Sequence, residues 1–195
     1  MKTHVLRPLS WALPGARRTR RRGFTLLELM IAASALLVAM LGFSQALIMA
    51  TRTQTLTREK TVATEACRRQ IELIRSNAFQ YIFRRFNTVG TDDVAGANTD
   101  PGSGFAIPGL DPVPGEDAFV GEIVFPVDTD APGMLREDVT DSSMAMPRDL
   151  NLDGVIDGAD HAADYALIPV LVRARWRGVA GPAQVSLLTF IGDEQ

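Results

Sequence analysis

Between Asp149 and Asp160, twelve residues set oxygen donors at regular steps. With Asp149 as position 1, positions 1, 3, 5, 7, 9 and 12 hold Asp149, Asn151, Asp153, the Val155 carbonyl, Asp157 and Asp160. Gly154 stands at position 6, where a sharp turn is needed, and apolar Ile156 at position 8, where it is expected to anchor the loop on a core. A set of carboxylate, amide and carbonyl oxygens at this spacing suits a hard cation, Ca2+ above all. The expected role is structural: the ion relieves the mutual repulsion of four carboxylates and pins the loop. The alternative is a solvated, aspartate-rich turn. His161 follows directly, but a hard cation prefers oxygen, so it is expected at the surface. Pro147 precedes the loop, so no helix is expected to enter it, and 159–167 is expected to leave it as a short helix.

A second residue with chemistry in its placement is Glu28, inside the apolar segment FTLLELMIA. From Leu29 to Ala50 the chain runs 22 residues without a charge or a proline. About 20 such residues at 1.5 Å each cross a bilayer. A carboxylate at mid-bilayer costs about 2.5–3.5 kcal/mol on insertion scales, less near the interface, and needs a cationic partner. Arg20, Arg21 and Arg22 flank the run on one side and Arg52 on the other, which favours a cytoplasmic N-terminus. A removable secretory signal has a shorter apolar stretch, about 7–15 residues, followed by a small-residue cleavage site. A buried core helix and a glutamate reaching for the headgroups are the plainer alternatives.

Arg21-Arg22-Gly23-Phe24-Thr25-Leu26-Leu27-Glu28-Leu29-Met30, followed by the apolar run, resembles the processing motif of type IV prepilins and type II secretion pseudopilins. The resemblance covers roughly residues 17–50. It implies that a prepilin peptidase/methyltransferase cuts between Gly23 and Phe24 and methylates the new amino group of Phe24. It also implies that Glu28 pairs with the N-terminal ammonium of a neighbouring pilin or pseudopilin subunit. Physical chemistry supports that pairing independently, because a buried carboxylate is tolerable only when paired and the cut creates a cation in the same apolar layer. The chain departs from the family in its longer leader, with Trp11 and Pro14, and in having Gly42 and no proline midway along the apolar helix. The loop 149–160 resembles an EF-hand calcium loop in its dockerin variant, with aspartate at the last position. The last two strands, with a tryptophan late in the first, resemble the C-terminal hairpin of minor pilins of the pilus-modification type.

These sites need elements to hold them. Ala63, Cys67, Ile71, Ile74, Ala78 and Ile82 recur at helical spacing. One helix over 24–86 is therefore expected, its first half for membrane and filament core, its second half a spine for a globular head. Cys67 lies on the stripe and is expected in the core. Residues 87–118, rich in glycine, proline and aspartate, read as a long surface loop. Residues 119–127, 166–177 and 183–191 read as strands, the last two joined by a hairpin loop at 178–182. In the middle one, Val170, Val172, Ala174 and Trp176 alternate with Leu171, Arg173, Arg175 and Arg177. The fold class expected is α+β: a long N-terminal helix packed on a small antiparallel sheet. The organisation is a leader at 1–23, a transmembrane and assembly helix at 24–50, an amphipathic spine at 51–86 and an acidic head at 87–195.

Composition and charge narrow the function. The 195 residues hold one cysteine, which excludes an internal disulfide and any cysteine-based zinc site. The formal net charge of −3 hides a gradient. Residues 1–23 carry seven basic and no acidic residues, 24–86 eight basic and four acidic, and 87–195 five basic and nineteen acidic. No nucleophile elbow, phosphate loop or histidine-rich metal motif is present, so no enzyme is expected. Asp92-Asp93 and Asp128/Asp130 read as loop charges. No nucleic-acid partner is expected for the mature chain. The expected function is a structural subunit, cleaved, N-methylated, held in inner-membrane lipid with its head in the periplasm, and assembled into a type IV pilus or a type II secretion pseudopilus. Lacking a C-terminal disulfide loop, it is expected to be a minor component. The alternative is a calcium-dependent binding or adhesion module on an uncleaved signal anchor.

Overall fold

A computed structural model describes residues 23–116 and 118–193. Its contacts divide the chain into two units, one reaching Ala46 and the other from Leu47 onward. Helix α1 is Leu26–Arg75. Thr25 opens it: the Thr25 hydroxyl accepts the Glu28 N–H at 3.2 Å, the first half of a Thr-x-x-Glu capping box. Glu28 also sits in the first turn, where the helix dipole favours an anion. Among the described residues this is the one helix long and apolar enough to cross a membrane.

Helix α1 ends earlier than 86. The Ser76 hydroxyl and the Asn77 amide both donate to the Leu73 carbonyl at 2.7 Å, and the Asn77 N–H turns to the Ile74 carbonyl at 3.1 Å. Short polar side chains compete in this way with the next helical turn. Arg85 then donates to Asn77 Oδ1 at 2.6 Å and to Asp100 Oδ1 at 3.0 Å. A 3-10 turn at Phe79–Tyr81 and the short α2, Ile82–Phe86, complete the segment. The break turns Ile82, Phe83 and Phe86 inward, all at most 1% exposed, and leaves Ala78 outside.

The strands are β1 (Gly104–Phe105), β2 (Gly121–Val124), β3 (Val127–Asp128), β4 (Ala131–Leu135), β5 (Leu167–Gly178) and β6 (Gly181–Gly192). An antiparallel sheet runs β1-β2-β5-β6, and β3-β4 form a separate ribbon. The strand expected over 119–127 is thus split between two sheets. The hairpin is tighter than expected: Gly178 pairs with Gly181, leaving Val179 and Ala180 at the tip. The loop 87–118 contributes β1 to the sheet edge.

The second half of α1 packs on one sheet face. Ala63, Cys67, Ile71 and Ile74 share a core with Ile168, Val170, Val172, Ala174 and Trp176. The Trp176 indole N–H donates to Glu59 Oε2 at 3.1 Å, a polar exit for a buried ring. Gly178 permits this approach, since a Cβ there would stand 2.8 Å from that carboxylate oxygen. Cys67 is free and buried, and burial raises its thiol pKa to about 11. The other face of β5 is covered in two ways. Pro169 and Leu171 are buried where the segment around Met144 packs, and Arg148 stacks 4.8 Å above Phe190. Further along, Arg173, Arg175 and Arg177 pair with Glu122, Glu116 and Asp111.

Candidate functional site

The processing segment is laid out plainly. Gly23, Phe24 and Thr25 precede the helix without regular structure, and Phe24 is 81% exposed. Among the described residues, nothing lies within 4 Å of where a Gly23 side chain would be, so on that side a protease meets an open backbone. Glu28 is exposed, one turn into α1. Among the described residues, the ion pairs within α1 are Glu65–Arg68 and Glu72–Arg75, both past the apolar run, and neither involves Glu28. Leu26 to Met49 display their large apolar side chains outward. The hydroxyls of Ser44, Thr51, Thr53, Thr55, Thr57 and Thr61 each donate to the carbonyl four residues back. Their polar atoms are thereby satisfied within the helix, which suits an apolar environment.

The loop 149–160 is organised from within. Asp149 accepts the Leu152 N–H at 2.6 Å and the Gly154 N–H at 2.8 Å. Asn151 accepts the Asp153 N–H at 3.1 Å, and Asp153 the Val155 N–H at 2.8 Å. Gly154 has φ +89°, the left-handed conformation that favours glycine at a tight turn. Asp157 caps the Ala159 N–H at 2.8 Å. Asp160 turns to the body of the head, where its Oδ1 accepts the N–H groups of Leu135 and Ala162, each at 3.0 Å. A carboxylate offers about four acceptor sites, so these bonds leave capacity for a cation at Asp149, Asn151, Asp153 and Asp157.

Three local expectations change. Ile156 is 50% exposed; the loop is anchored instead by Leu150, fully buried in the core. Residues 159–166 form turns and no helix. His161 is 5% exposed, not a surface residue. It is drawn in because its ring bridges Asp157 and Asp164, each at 3.2 Å, with Glu137 Oε2 at 3.8 Å. Burial pushes its pKa down, but these carboxylates outweigh burial and hold it above the ordinary imidazole value.

Glu137 was not among the residues singled out from sequence. It is fully buried beneath the loop. Its Oε1 accepts the N–H groups of Leu150 at 2.6 Å and Asn151 at 3.2 Å, and its Oε2 that of Asp157 at 3.4 Å. The loop is thus hung on one carboxylate twelve residues upstream, a link that no local spacing announces. Three of the four loop carboxylates are structural: Asp92 accepts from Asn87, Asp93 from the Thr99 and Asp100 N–H groups, and Asp128 pairs with Arg136 at 2.7 Å, while Asp130 is exposed.

No curated protein and no solved structure matches the chain. Residues 18–44 match the family model described as the prokaryotic N-terminal methylation motif. The matched stretch contains Gly23, Phe24 and Glu28 and ends within α1; the head lies outside it. That motif, running into a long apolar helix, fits the N-terminal part of a type IV prepilin-like protein.

Proposed function

We propose that the chain is a structural subunit and not an enzyme. It is made as a precursor, cut between Gly23 and Phe24 by a prepilin peptidase, N-methylated on Phe24 and assembled with other pilins as a minor component of a type IV pilus or type II secretion pseudopilus. Residues 1–23 are the cytoplasmic leader, the apolar part of α1 anchors the precursor in the inner membrane, and the acidic head faces the periplasm. The observation that carries this reading is the methylation motif at 18–44, with its glycine in open backbone directly ahead of the helix. Cleavage converts Phe24 into a cation four residues from Glu28. Within one helix, Glu28 then stands in the first turn; between helices, its carboxylate accepts the ammonium of a neighbour in a layer without water. Subunits that meet in that register bury a neutral pair, and slipped ones leave a charge stranded at a cost of several kcal/mol.

The test is the mass of the mature protein from a membrane fraction of peptidase-competent cells. An N-methylated Phe24 N-terminus is expected, and the precursor in cells lacking the peptidase. An intact N-terminus in competent cells would favour the signal-anchor alternative instead.

Calcium in the head is a second, separate reading. It is supported by the oxygen donors of Asp149, Asn151, Asp153, Val155 and Asp157, folded around a left-handed Gly154, with Asp160 contributing only through its second oxygen. Calorimetric titration of the full chain in detergent micelles with Ca2+ is expected to give one site, lost in Asp149→Asn/Asp153→Asn. Absence of calcium-dependent heat and of any melting shift would remove it.

A further inference from the structure

Beneath the calcium-like loop, three side chains from separate parts of the head converge. Glu137 comes from just after β4, Asp157 from the loop and His161 from the turn that follows it. One ligand atom from each lies within 4.8 Å of the others. His161 Nε2 is 3.2 Å from Asp157 Oδ1 and 3.8 Å from Glu137 Oε2. Two donors about 2.1 Å from a tetrahedral ion stand about 3.4 Å apart, so the two distances bracket what such an ion imposes. The side chains of Glu137 and His161 are 1% and 6% exposed, so two of the three donors sit in fixed, dry positions.

The far side of the imidazole adds an independent observation. His161 Nδ1 faces Asp164 Oδ1 at 3.2 Å. With a metal on the Nε2 side the ring proton would sit on Nδ1 and donate to Asp164, and a carboxylate behind the ring in this way accompanies histidine ligands generally. The charge balance points the same way. Among the described residues, Glu137 is buried with His161 as its ion-pair partner, at a distance too long for a hydrogen bond, and its Oε2 holds a 3.4 Å contact from the Asp157 N–H.

We propose that Glu137, Asp157 and His161 form a binding site for a borderline divalent transition ion, Zn2+ in particular, with Asp164 as the positioning residue. One imidazole nitrogen with two carboxylate oxygens suits Zn2+ better than Ca2+, which takes six to eight oxygens. The ion neutralises the buried Glu137 and ties the segment after β4 to the loop and the turn after it. Asp157 belongs to this set and to the calcium reading, whereas Glu137 and His161 belong to this one alone. The inference is independent of leader processing.

Calorimetric titration of the full chain in micelles with Zn2+ tests it, with visible absorption of added Co2+ as a second readout. One Zn2+ per chain, a raised melting temperature and the ligand-field bands of a low-coordinate Co2+ site are expected. His161→Gln and Asp157→Asn abolish them; Asp157 is half exposed, so that variant keeps the test usable if His161→Gln does not fold. Asp164→Asn weakens binding by about 10–100-fold while leaving one site per chain. Asp149→Asn/Asp153→Asn retains Zn2+ binding although it removes the calcium loop. No Zn2+ bound to the folded chain overturns the proposal, as does binding that survives both His161→Gln and Asp157→Asn, or binding lost only in Asp149→Asn/Asp153→Asn.

Discussion

At the scale of residues, the core shared by α1 and the sheet holds two ionisable groups, Cys67 and Tyr165, whose burial can be read in solution. Cys67 is fully buried in the core shared with the sheet, and burial raises its thiol pKa to about 11. The thiolate is the reactive form. The native chain in micelles is therefore expected to react with a thiol reagent far more slowly than the urea-unfolded chain; equal rates would contradict the packing of α1 on the sheet. Tyr165 packs 4.8 Å from Phe79, and its hydroxyl donates to the Phe79 carbonyl at 2.5 Å. Burial raises its pKa to about 12. Because the folded state prefers the neutral phenol, its contribution to stability is complete below about pH 10 and is lost as pH rises toward about 12. Denaturant midpoints measured between pH 8 and 12 are expected to fall over that window, and to fall less in Tyr165→Phe.

At the scale of elements, the second half of α1 carries the core through a single stripe. Ile74 is fully buried near its end, just before Ser76 and Asn77 stop the helix. Ile74→Ala is expected to cost about 2–5 kcal/mol in chemical denaturation of the full chain, the range for a buried isoleucine truncated in a packed site. Thr25→Ala, which removes the cap on Glu28 N–H, is expected to cost only about 1 kcal/mol of local helix stability, visible as faster amide exchange in the first turn of α1 and not as a shift of the global midpoint. Much of this level was legible. Helical spacing named Ala63, Cys67, Ile71 and Ile74, and strand alternation named the buried face Val170, Val172, Ala174 and Trp176, because periodicity reports which side of an element meets the core. The end of α1 was not legible. The apolar spacing continues to Ile82, and only the side chains of Ser76 and Asn77, held by Arg85 and by the Leu73 carbonyl, decide that the chain turns there.

At the scale of the whole molecule, the proposed subunit changes its electrostatics when its leader is cut away, since the new N-terminus at Phe24 would be a cation beside the apolar start of α1. Glu28→Ala is expected to leave cleavage at Phe24 intact, since the scissile bond lies outside the helix, while lowering incorporation into the assembled fibre. Comparison of processed protein in the membrane and in sheared fibre fractions measures this; equal incorporation would show that Glu28 has no part in register.

The sequence by itself determined the N-terminal segment. A glycine, a phenylalanine, a threonine cap, a glutamate and an uninterrupted apolar run act locally, so their order along the chain is their chemistry. It also determined the fold class and the existence of an oxygen-rich loop. Only the tertiary structure decided what lies beneath that loop. Glu137 and His161 are distant in sequence and ordinary in type, and His161 read in isolation belongs at the surface. Folding of β4 against the turns after the loop removes both from water and sets them facing Asp157. That outcome depends on long-range packing, which leaves no periodic mark in the sequence.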